Sequence, residues 1–349
     1  MTLVLHVDPG HPDEEVVARA AACLRQGGLV AFPTETVYGL GVDALNRTAV
    51  RRLFAAKRRP STDPLIVHVP SIADVAPLVS VMPDVARQLA SRYWPGPLTL
   101  VLPRSPEVPD EVTAGLDTVA IRVPSHPVAL AIISAAGVPV AAPSANLFSR
   151  PSPTRARHVL DDLEGRIDMI VDGGATRVGV ESTVLDLSGS VAVVLRHGAI
   201  TVEMLRAWMP GVRSHGESRD AHAAQPSPGM LSKHYAPRTP LTLFTGRPEQ
   251  ARAAMVERAR ALVAAGRRVG VVATTADSRA LLGLPIAIAG IGSDADPAAI
   301  ASRLYAALRE LDAGDVDVLL ACDPPEADGL SRAIRDRLHR AAADIVHEE

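Results

Sequence analysis

The strongest constraint on the fold is an alternation of short apolar runs with longer segments of helical spacing, which continues through almost the whole chain. Apolar runs of strand length include Leu29–Phe32, Leu98–Leu102 and Val269–Ala273. The segments between them repeat apolar residues every three or four positions, as amphipathic helices do. The composition agrees, because 47% of the residues are hydrophobic and only 3% are aromatic, which suits a large aliphatic core. We therefore predict an α/β fold in which helices pack on a sheet.

The alternation breaks in one place, and a length of 349 residues favours two domains. Residues 211–240 are rich in Ser, His, Pro and charge and show little periodicity, as linkers do. Within them, Ser227–Pro237 combines Met, Leu, His and Tyr, so we expect this segment to dock on a surface. We predict a first domain at residues 1–209, a linker at 210–240, and a smaller doubly wound α/β domain at 241–349 that ends in an amphipathic helix.

Several classes of protein are disfavoured. The net charge of −3 gives no general attraction to nucleic acid, so any RNA contact would need a local basic face. The two cysteines, Cys23 and Cys322, lie in apolar runs and predict buried free thiols, as in a reducing compartment. We find no zinc-ligand spacing and no dinucleotide, Walker or kinase motif. The chain also lacks a signal-peptide pattern and a membrane-spanning run, so we expect a cytoplasmic protein.

A loop rich in hydroxyl groups follows the strand Leu29–Phe32. It carries Thr34, Thr36 and Tyr38 between that strand and Gly39. If this piece stays extended, the three hydroxyls point to one side, beside a strand end where open α/β sheets bind ligands. The alternative is a polar loop whose tyrosine packs in the core.

Cationic residues stand at the ends of predicted elements. Lys57 and Arg59 follow a helix, Arg122 lies in an apolar strand, and Arg196 ends another strand. Cations at a helix C-terminus have an ordinary explanation in the helix dipole. A buried arginine, however, needs a partner, and a carboxylate or phosphate would suit it.

Small polar residues occupy the loops between these cations. They are Thr34, Thr36, Ser144, Asn146 and Ser182. Several cations, many small hydrogen-bonding groups and no Gly-x-Ser-x-Gly nucleophile elbow favour phosphate chemistry run by positioning and charge stabilisation. The residues thus indicate an anionic ligand such as a nucleotide, and they do not name the reaction.

Eight motifs occur in an order that resembles the YrdC-like threonylcarbamoyl-AMP synthases. They are Phe32–Gly41, Lys57-x-Arg59-Pro, Pro64–His68, Trp94–Thr99, Ala142–Asn146, Ser152–Thr154, Glu181–Val184 and Leu195-Arg-x-Gly198. The segment His234–Pro237 and the trailing α/β domain resemble the longer, two-domain branch of that family. The resemblance implies a YrdC-like twisted open sheet in the first domain, a Rossmann-like C-terminal domain, and a long linker that acts as a lid over an easily hydrolysed product.

The reaction that the resemblance implies is a nucleotidyl transfer. L-threonine, bicarbonate and ATP would give threonylcarbamoyl-AMP and pyrophosphate. The product would pass to a downstream tRNA threonylcarbamoyl-transfer machinery that modifies tRNAs reading ANN codons. Mg²⁺ would be held with ATP rather than in a protein metal site, and no organic cofactor is implied.

The resemblance also assigns residues to the two substrates. The threonine pocket would be lined by Thr36, His68, Arg122, Ala142 and Ser182, with Arg122 on the threonine carboxylate. ATP would contact Lys57, Arg59, Asp63, Thr118, Ser144, Ser152 and Arg196. Lys57 and Arg59 would be catalytic, and Thr34, Asn146 and Tyr235 form a second set of candidates.

The chain departs from the family pattern in three places. Asp63 stands where Asn is common, and an ionised carboxylate cannot donate a hydrogen bond. Arg58 stands where Gly is common, and Phe148-Ser149 replaces a usual Ser-Gly.

Two alternatives to this function stay open. One is an RNA-binding, translation- or ribosome-associated module of the same fold without adenylation activity. It would hold structured RNA on a basic face extended by Arg150, Arg155, Arg157 and His158, and a weak tRNA contact is also compatible with the synthase. The other is carbamoyl transfer to a different acceptor, against which the lack of zinc-finger cysteines argues.

Overall fold

The computed structural model describes residues 1–215, 234–325 and 329–348, and these form two compact units. The first contains residues 1–148, 152–177 and the described residues from 181 to 215. The second contains residues 149–151, 178–180 and the described residues from 234 onward. Most of the segment Ser227–Pro237 that we expect to dock as a lid lies outside the described residues.

The first unit is built on a mixed sheet. Its strands are β1 (Leu3–His6), β2 (Val30–Pro33), β3 (Tyr38–Asp43), β4 (Ile66–His68), β5 (Leu98–Pro103), β6 (Thr118–Arg122), β7 (Val140–Ala141), β8 (Met169–Asp172), β9 (Thr183–Asp186), β10 (Val193–Arg196) and β11 (Arg213–Ser214). Its helices are α1 (Glu14–Arg25), α2 (Arg47–Lys57), α3 (Asp84–Tyr93), α4 (Asp110–Thr113), α5 (Pro127–Ala136), α6 (Ala156–Leu163) and α7 (Val202–Arg206), with a 3₁₀ segment at Ile72–Leu78. The strand order is β1-β8-β2-β3-β7-β4-β6-β5-β9-β10-β11 over the described residues.

The two faces of the central strands are unequal. Alternate residues of a strand point to opposite faces. On one face, the side chains join the main hydrophobic core with residues of α2 and α3; examples are Val67, Ile121, Leu100 and Leu185. On the other face lies a small apolar cluster, formed by Ile66, Val101, Ala120 and Val184 with Leu195 against it. We call this second side the small-cluster face.

The second unit is a doubly wound α/β domain. Its strands are β12 (Leu241–Gly246), β13 (Val269–Thr274), β14 (Ala287–Gly292), β15 (Val318–Cys322) and β16 (Asp344–Glu348), and its helices are α8 (Pro248–Ala264), α9 (Thr275–Ala280), α10 (Pro297–Ala313) and α11 (Leu330–Ala341). The described strands are all parallel, in the order β14-β13-β15-β12-β16. The chain winds first toward one edge and then toward the other, which confirms the predicted fold class.

Three details differ from the sequence predictions. Residues 34–37 do not stay extended, because the amide of Thr34 donates to Val37 O at 3.2 Å and closes a hairpin between β2 and β3. The apolar segment Asp63–His68 predicts a strand from Asp63 onward, but β4 begins only at Ile66 and residues 63–65 are loop. The chain does not end in a helix, since α11 stops at Ala341 and β16 then pairs with β12.

The two cysteines are free, as predicted, but they are half-buried rather than fully buried. Burial raises the pKa of both thiols, so both stay protonated at neutral pH.

Candidate active site

Sheet register brings several predicted site residues into one row across the sheet. His68 pairs with Arg122, Thr99 pairs with Val184, and Val184 pairs with Arg196. The β5–β6 register, in which Leu100 faces Ile121, places Thr99 opposite Arg122. His68 and Arg122 lie two residues beyond Ile66 and Ala120, so the row is on the small-cluster face.

Arg122 is the central charge of this row. Its side chain is 4% exposed, its Nε donates to Gly96 O at 3.2 Å, and its Nη2 lies 2.7 Å from Glu35 Oε1. Glu35 is equally buried and was not among the residues that the sequence singled out. Its only signal was its place between two predicted threonines.

His68 is held as a neutral imidazole. Burial, reinforced by the nearby Arg122 charge, lowers the pKa of His68 to about 3, although Glu35 opposes this. Its Nδ1 lies 3.2 Å from Ile66 O, a carbonyl that can only accept. The backbone of Val140 also interacts with the ring, and a neutral imidazole offers one N–H donor and one nitrogen acceptor.

The two threonines before β3 build the turn that carries Glu35. Thr34 Oγ1 donates to Val37 O at 2.6 Å, accepts from the amides of Thr36 and Val37, and lies 2.8 Å from Thr36 Oγ1. A hydroxyl that bonds the backbone two and three residues on is a standard way to close such a turn. Tyr38 does not join them, because its ring is in the main core and its hydroxyl donates to Gly174 O at 2.6 Å.

Ser182 lies beside the row and is fixed from two sides. Its Oγ is 2.8 Å from Thr99 Oγ1, and Arg196 donates to its Oγ at 3.1 Å and to its carbonyl at 3.0 Å. Thr99 is a second residue that sequence reasoning missed. The glycine of the Leu195-Arg-x-Gly198 motif is explained here, since a Cβ at Gly198 would lie 2.5 Å from the amide nitrogen of Thr183.

A second group of predicted residues lies at the ends of β4 and β6 that are opposite to His68 and Arg122. Thr118 begins β6 and Arg122 ends it, a separation of about 13 Å at roughly 3.3 Å per residue. Because β4 runs parallel to β6, the residues that precede β4 lie at the Thr118 end. Asp63 is among them, and it is fully buried.

Arg59 binds this loop. Its Nε donates to Asp63 O at 3.1 Å, its Nη2 donates to Pro64 O at 2.8 Å, and Nη2 lies 2.9 Å from Asp63 Oδ2. Asp63 thus makes a buried ion pair with Arg59, which explains how a carboxylate is accommodated at this position.

Lys57 holds the neighbouring loop. Its Nζ donates to Ser144 O and to Asn146 O, both at 2.5 Å, and its side chain is fully buried. Asn146 Nδ2 in turn donates to Leu147 O at 2.7 Å. The two predicted catalytic cations are therefore also the residues that shape the loops around them.

The remaining candidates are placed as follows. Ala142 donates its amide to Ile66 O at the start of β4. Ser152 is buried, and its Oγ donates to Glu181 Oε1 at 2.5 Å, which adds Glu181 to the residues that the sequence did not single out. Tyr235 belongs to the second unit, where its buried ring packs 5.6 Å from that of Tyr305.

A metal-binding cluster and a membrane-spanning helix are both absent from the described residues. Residues 1–215, 234–325 and 329–348 contain no group of three His, Cys, Asp or Glu side chains arranged to hold a metal ion. No helix in the described parts of the chain has the length and hydropathy of a membrane span.

Comparison with known proteins gives matches over nearly the whole chain. Residues 22–198 match the Sua5–YciO–YrdC family, described as telomere recombination, and residues 200–343 match the C-terminal domain of threonylcarbamoyl-AMP synthase. The threonylcarbamoyl-AMP synthase of Bacillus subtilis is 46% identical over 95% of this chain and 94% of its own length. That of Pyrococcus abyssi is 42% identical over 98% of both chains. A crystal structure of P. abyssi Sua5 complexed with L-threonine superposes with a TM-score of 0.92, at 40% identity and full coverage of both chains.

Proposed function

The chain belongs to the Sua5–YciO–YrdC family, and from this premise we propose that it forms threonylcarbamoyl-AMP and pyrophosphate from L-threonine, bicarbonate and ATP. The names of the full-length relatives and the L-threonine complex of the P. abyssi protein support this reaction. The observation that carries the proposal is the charge at the two ends of β4 and β6. A buried arginine beside a neutral histidine stands at one end, and a buried arginine with its aspartate stands at the other.

The chemistry has two bond-forming steps. In the first, the threonine ammonium gives up a proton to water, and the resulting amine attacks the carbon of bicarbonate, so that an N–C bond forms, the C–OH bond breaks and the hydroxyl leaves as water with a proton from the nitrogen. In the second, an oxygen of the resulting carbamate attacks the α-phosphorus of ATP, and the bond to the pyrophosphate oxygen breaks. Both reactants of the second step are anions, so the site must offset their repulsion and align them.

We assign threonine binding to the row of residues on the small-cluster face. Contacts of its Nε with Gly96 and of its Nη2 with Glu35 fix the position of Arg122. Its planar guanidinium suits the threonine carboxylate. His68, as a neutral imidazole, would line the pocket as a hydrogen-bonding group without a charge of its own. Ser182, which Thr99 and Arg196 hold in place, would line the same pocket with Thr36 and Ala142.

We assign ATP binding to Lys57 and Arg59, which would act as preorganised cations. Both now bind backbone carbonyls, so their positions are set before ATP arrives. Binding would exchange part of these contacts for phosphate oxygens, and the charges would stabilise the α-phosphorus transition state. The other proposed ATP contacts are Asp63, Thr118, Ser144, Ser152 and Arg196.

Mg²⁺ would enter with ATP. We expect phosphate oxygens and water to hold it rather than protein side chains. Bound in this way, it would offset phosphate charge.

The product is a mixed anhydride that water cleaves easily, so it must be transferred soon after it forms. We propose that a tRNA threonylcarbamoyl-transfer machinery consumes it and that the reaction takes place in the cytoplasm.

The test is pyrophosphate release from ATP and Mg²⁺ by the full chain, with L-threonine and bicarbonate each omitted in turn. We expect release only when both are present, together with a product that carries AMP and the threonylcarbamoyl group. Release without threonine would indicate simple ATP hydrolysis, and no release from the complete mixture would overturn the proposal.

A further inference from the structure

The pair Glu35–Arg122 contains buried polar atoms that the protein itself does not satisfy. The charges approach to 2.7 Å, and both side chains are 4% exposed. Nevertheless, Arg122 Nη2 and both oxygens of Glu35 are buried without a hydrogen bond of proper alignment. Buried polar atoms of native proteins nearly always have well-aligned partners, so this ion pair keeps hydrogen-bonding capacity that a ligand could use.

Glu35 is present as a carboxylate. Burial alone would raise its pKa, but the Arg122 guanidinium more than offsets this, and the pKa of Glu35 lies below its usual range. The amides of Glu35 itself and of Ser125 add to the lowering. The other titratable groups close enough to interact are His68 and His126, and burial lowers the pKa of both, so both are neutral.

The site therefore presents one full positive and one full negative charge, side by side and out of water. An α-amino acid zwitterion carries the complementary pair, a carboxylate and an ammonium on the same carbon. A ligand that supplies both would satisfy Arg122 with its carboxylate and Glu35 with its ammonium. A ligand with a carboxylate alone would leave the buried Glu35 unsatisfied, at a cost in binding.

We propose that Glu35 binds the ammonium group of the substrate and makes the site selective for α-amino acids over acids that lack the amine. This inference rests on the proposed function, because it takes L-threonine as the ligand of Arg122. The turn of Thr34 and Thr36 holds Glu35 in place, which gives those hydroxyls a positioning role. A carboxylate of lowered pKa is a poor proton acceptor, so Glu35 recognises the amine and does not deprotonate it.

The test compares two ligands by calorimetry on the full chain. L-threonine carries both charges, and 3-hydroxybutanoate is the same skeleton without the amine. We expect the wild type to prefer L-threonine by about 100-fold or more. In Glu35→Gln, affinity for L-threonine should fall at least about 10-fold, while affinity for 3-hydroxybutanoate stays equal or rises, because Arg122 loses its competing anion.

Glu111→Gln is the matched control. Glu111 also pairs with arginines in the first unit, Arg47 and Arg51, but it is outside the row on the small-cluster face. This control should keep the wild-type ratio of affinities.

Three further outcomes decide the inference. An equal loss of affinity for both ligands in Glu35→Gln would mean that Glu35 only supports the fold, and wild-type affinity for both ligands would overturn its role as well. Should Glu35→Gln fail to fold, Glu35→Asp retracts the charge by one methylene. Glu35→Asp should lower the affinity for L-threonine but not for 3-hydroxybutanoate. An equal loss of affinity for both ligands would again contradict the inference. Pyrophosphate release by the wild type is measured separately, so failure of the reaction and failure of the Glu35 role are distinguished.

Discussion

Lys57 shows how one buried side chain can serve the loop and the reaction together. Its ammonium donates to the carbonyls of Ser144 and Asn146, and it is one of two lysines in the sequence. We expect Lys57→Met, which keeps the length and removes the charge, to lower the free energy of unfolding by about 1–3 kcal/mol, because buried acceptors lose their donor. Pyrophosphate release should fall on the order of 100-fold, because a preorganised charge is lost.

Urea denaturation and the pyrophosphate assay check these two effects of Lys57→Met separately. Wild-type turnover in the folded variant would contradict the phosphate role. Reduced turnover with unchanged stability would contradict the role in shaping the loop.

His68 should make the protein sensitive to acid. Its pKa is about 3 in the folded chain against 6.5 when exposed, so between these values the unfolded chain binds more protons. Stability therefore falls as the pH drops from about 6.5 toward 3, by up to about 1.4 kcal/mol per pH unit. His68→Gln cannot take up this proton.

We expect the stability of the wild type relative to His68→Gln to fall by about 2 kcal/mol between about pH 7.5 and pH 5. Denaturant titrations of both proteins at the two pH values measure this difference, and the common contribution of other groups cancels. Parallel pH profiles would show that His68 is not buried as a neutral side chain.

At the scale of one element, the end of α2 carries a backbone strain that the sequence alone did not reveal. Arg58 caps this helix in the left-handed conformation, with φ of 53°, and its side chain is exposed. Glycine adopts this conformation without a Cβ penalty. We expect Arg58→Gly to raise the free energy of unfolding by about 1 kcal/mol.

Arg58→Ala is the control, because it removes the same side chain but keeps the Cβ. It should leave stability near that of the wild type, measured by the same urea titrations. Equal gains from Gly and Ala would assign the effect to charge and not to backbone conformation.

The elements differ in how much of them could be predicted from sequence. Helix α2 was predictable because Asn46 caps its start, where the side chain accepts from the amide of Ala49. Strand β16 was not, because Asp344–Glu348 is a short edge strand whose partner, β12, is about a hundred residues earlier in the chain. Local patterns set helix ends, but distant pairing decides whether a short polar segment becomes a strand.

The residues of the candidate site also differ in how far they could be predicted from sequence. Cations at strand ends were visible as charges in apolar runs, and the structure confirms that Arg122 and Arg196 are buried. Their contacts were not visible: Ser182 was predicted to line the site but not to bind Arg196, and Glu35 and Thr99 join the site only through a hairpin turn and sheet register. The assignment of individual residues to threonine or ATP stays a prediction.

At the scale of the whole molecule, the net charge and the internal ion pairs favour the synthase function over an RNA-binding function. The net charge is −3, and the basic face suggested by the sequence is partly neutralised. Arg157 lies 2.8 Å from Asp161, and Arg150 lies 2.9 Å from Asp312. Each internal ion pair removes a cation that could otherwise release counterions from a phosphate backbone, so RNA affinity and its salt dependence should both be small.

We expect unmodified tRNA to bind no more tightly than about 10 μM at about 0.15 M salt, measured by fluorescence anisotropy, and pyrophosphate release to proceed without it. Asp161→Asn supplies the matched variant, because it frees Arg157 without touching the row on the small-cluster face. It should steepen the salt dependence by about one phosphate contact while turnover stays at the wild-type level. Submicromolar binding by the wild type with a steep salt slope, in a chain that releases no pyrophosphate, would instead support the RNA-binding function.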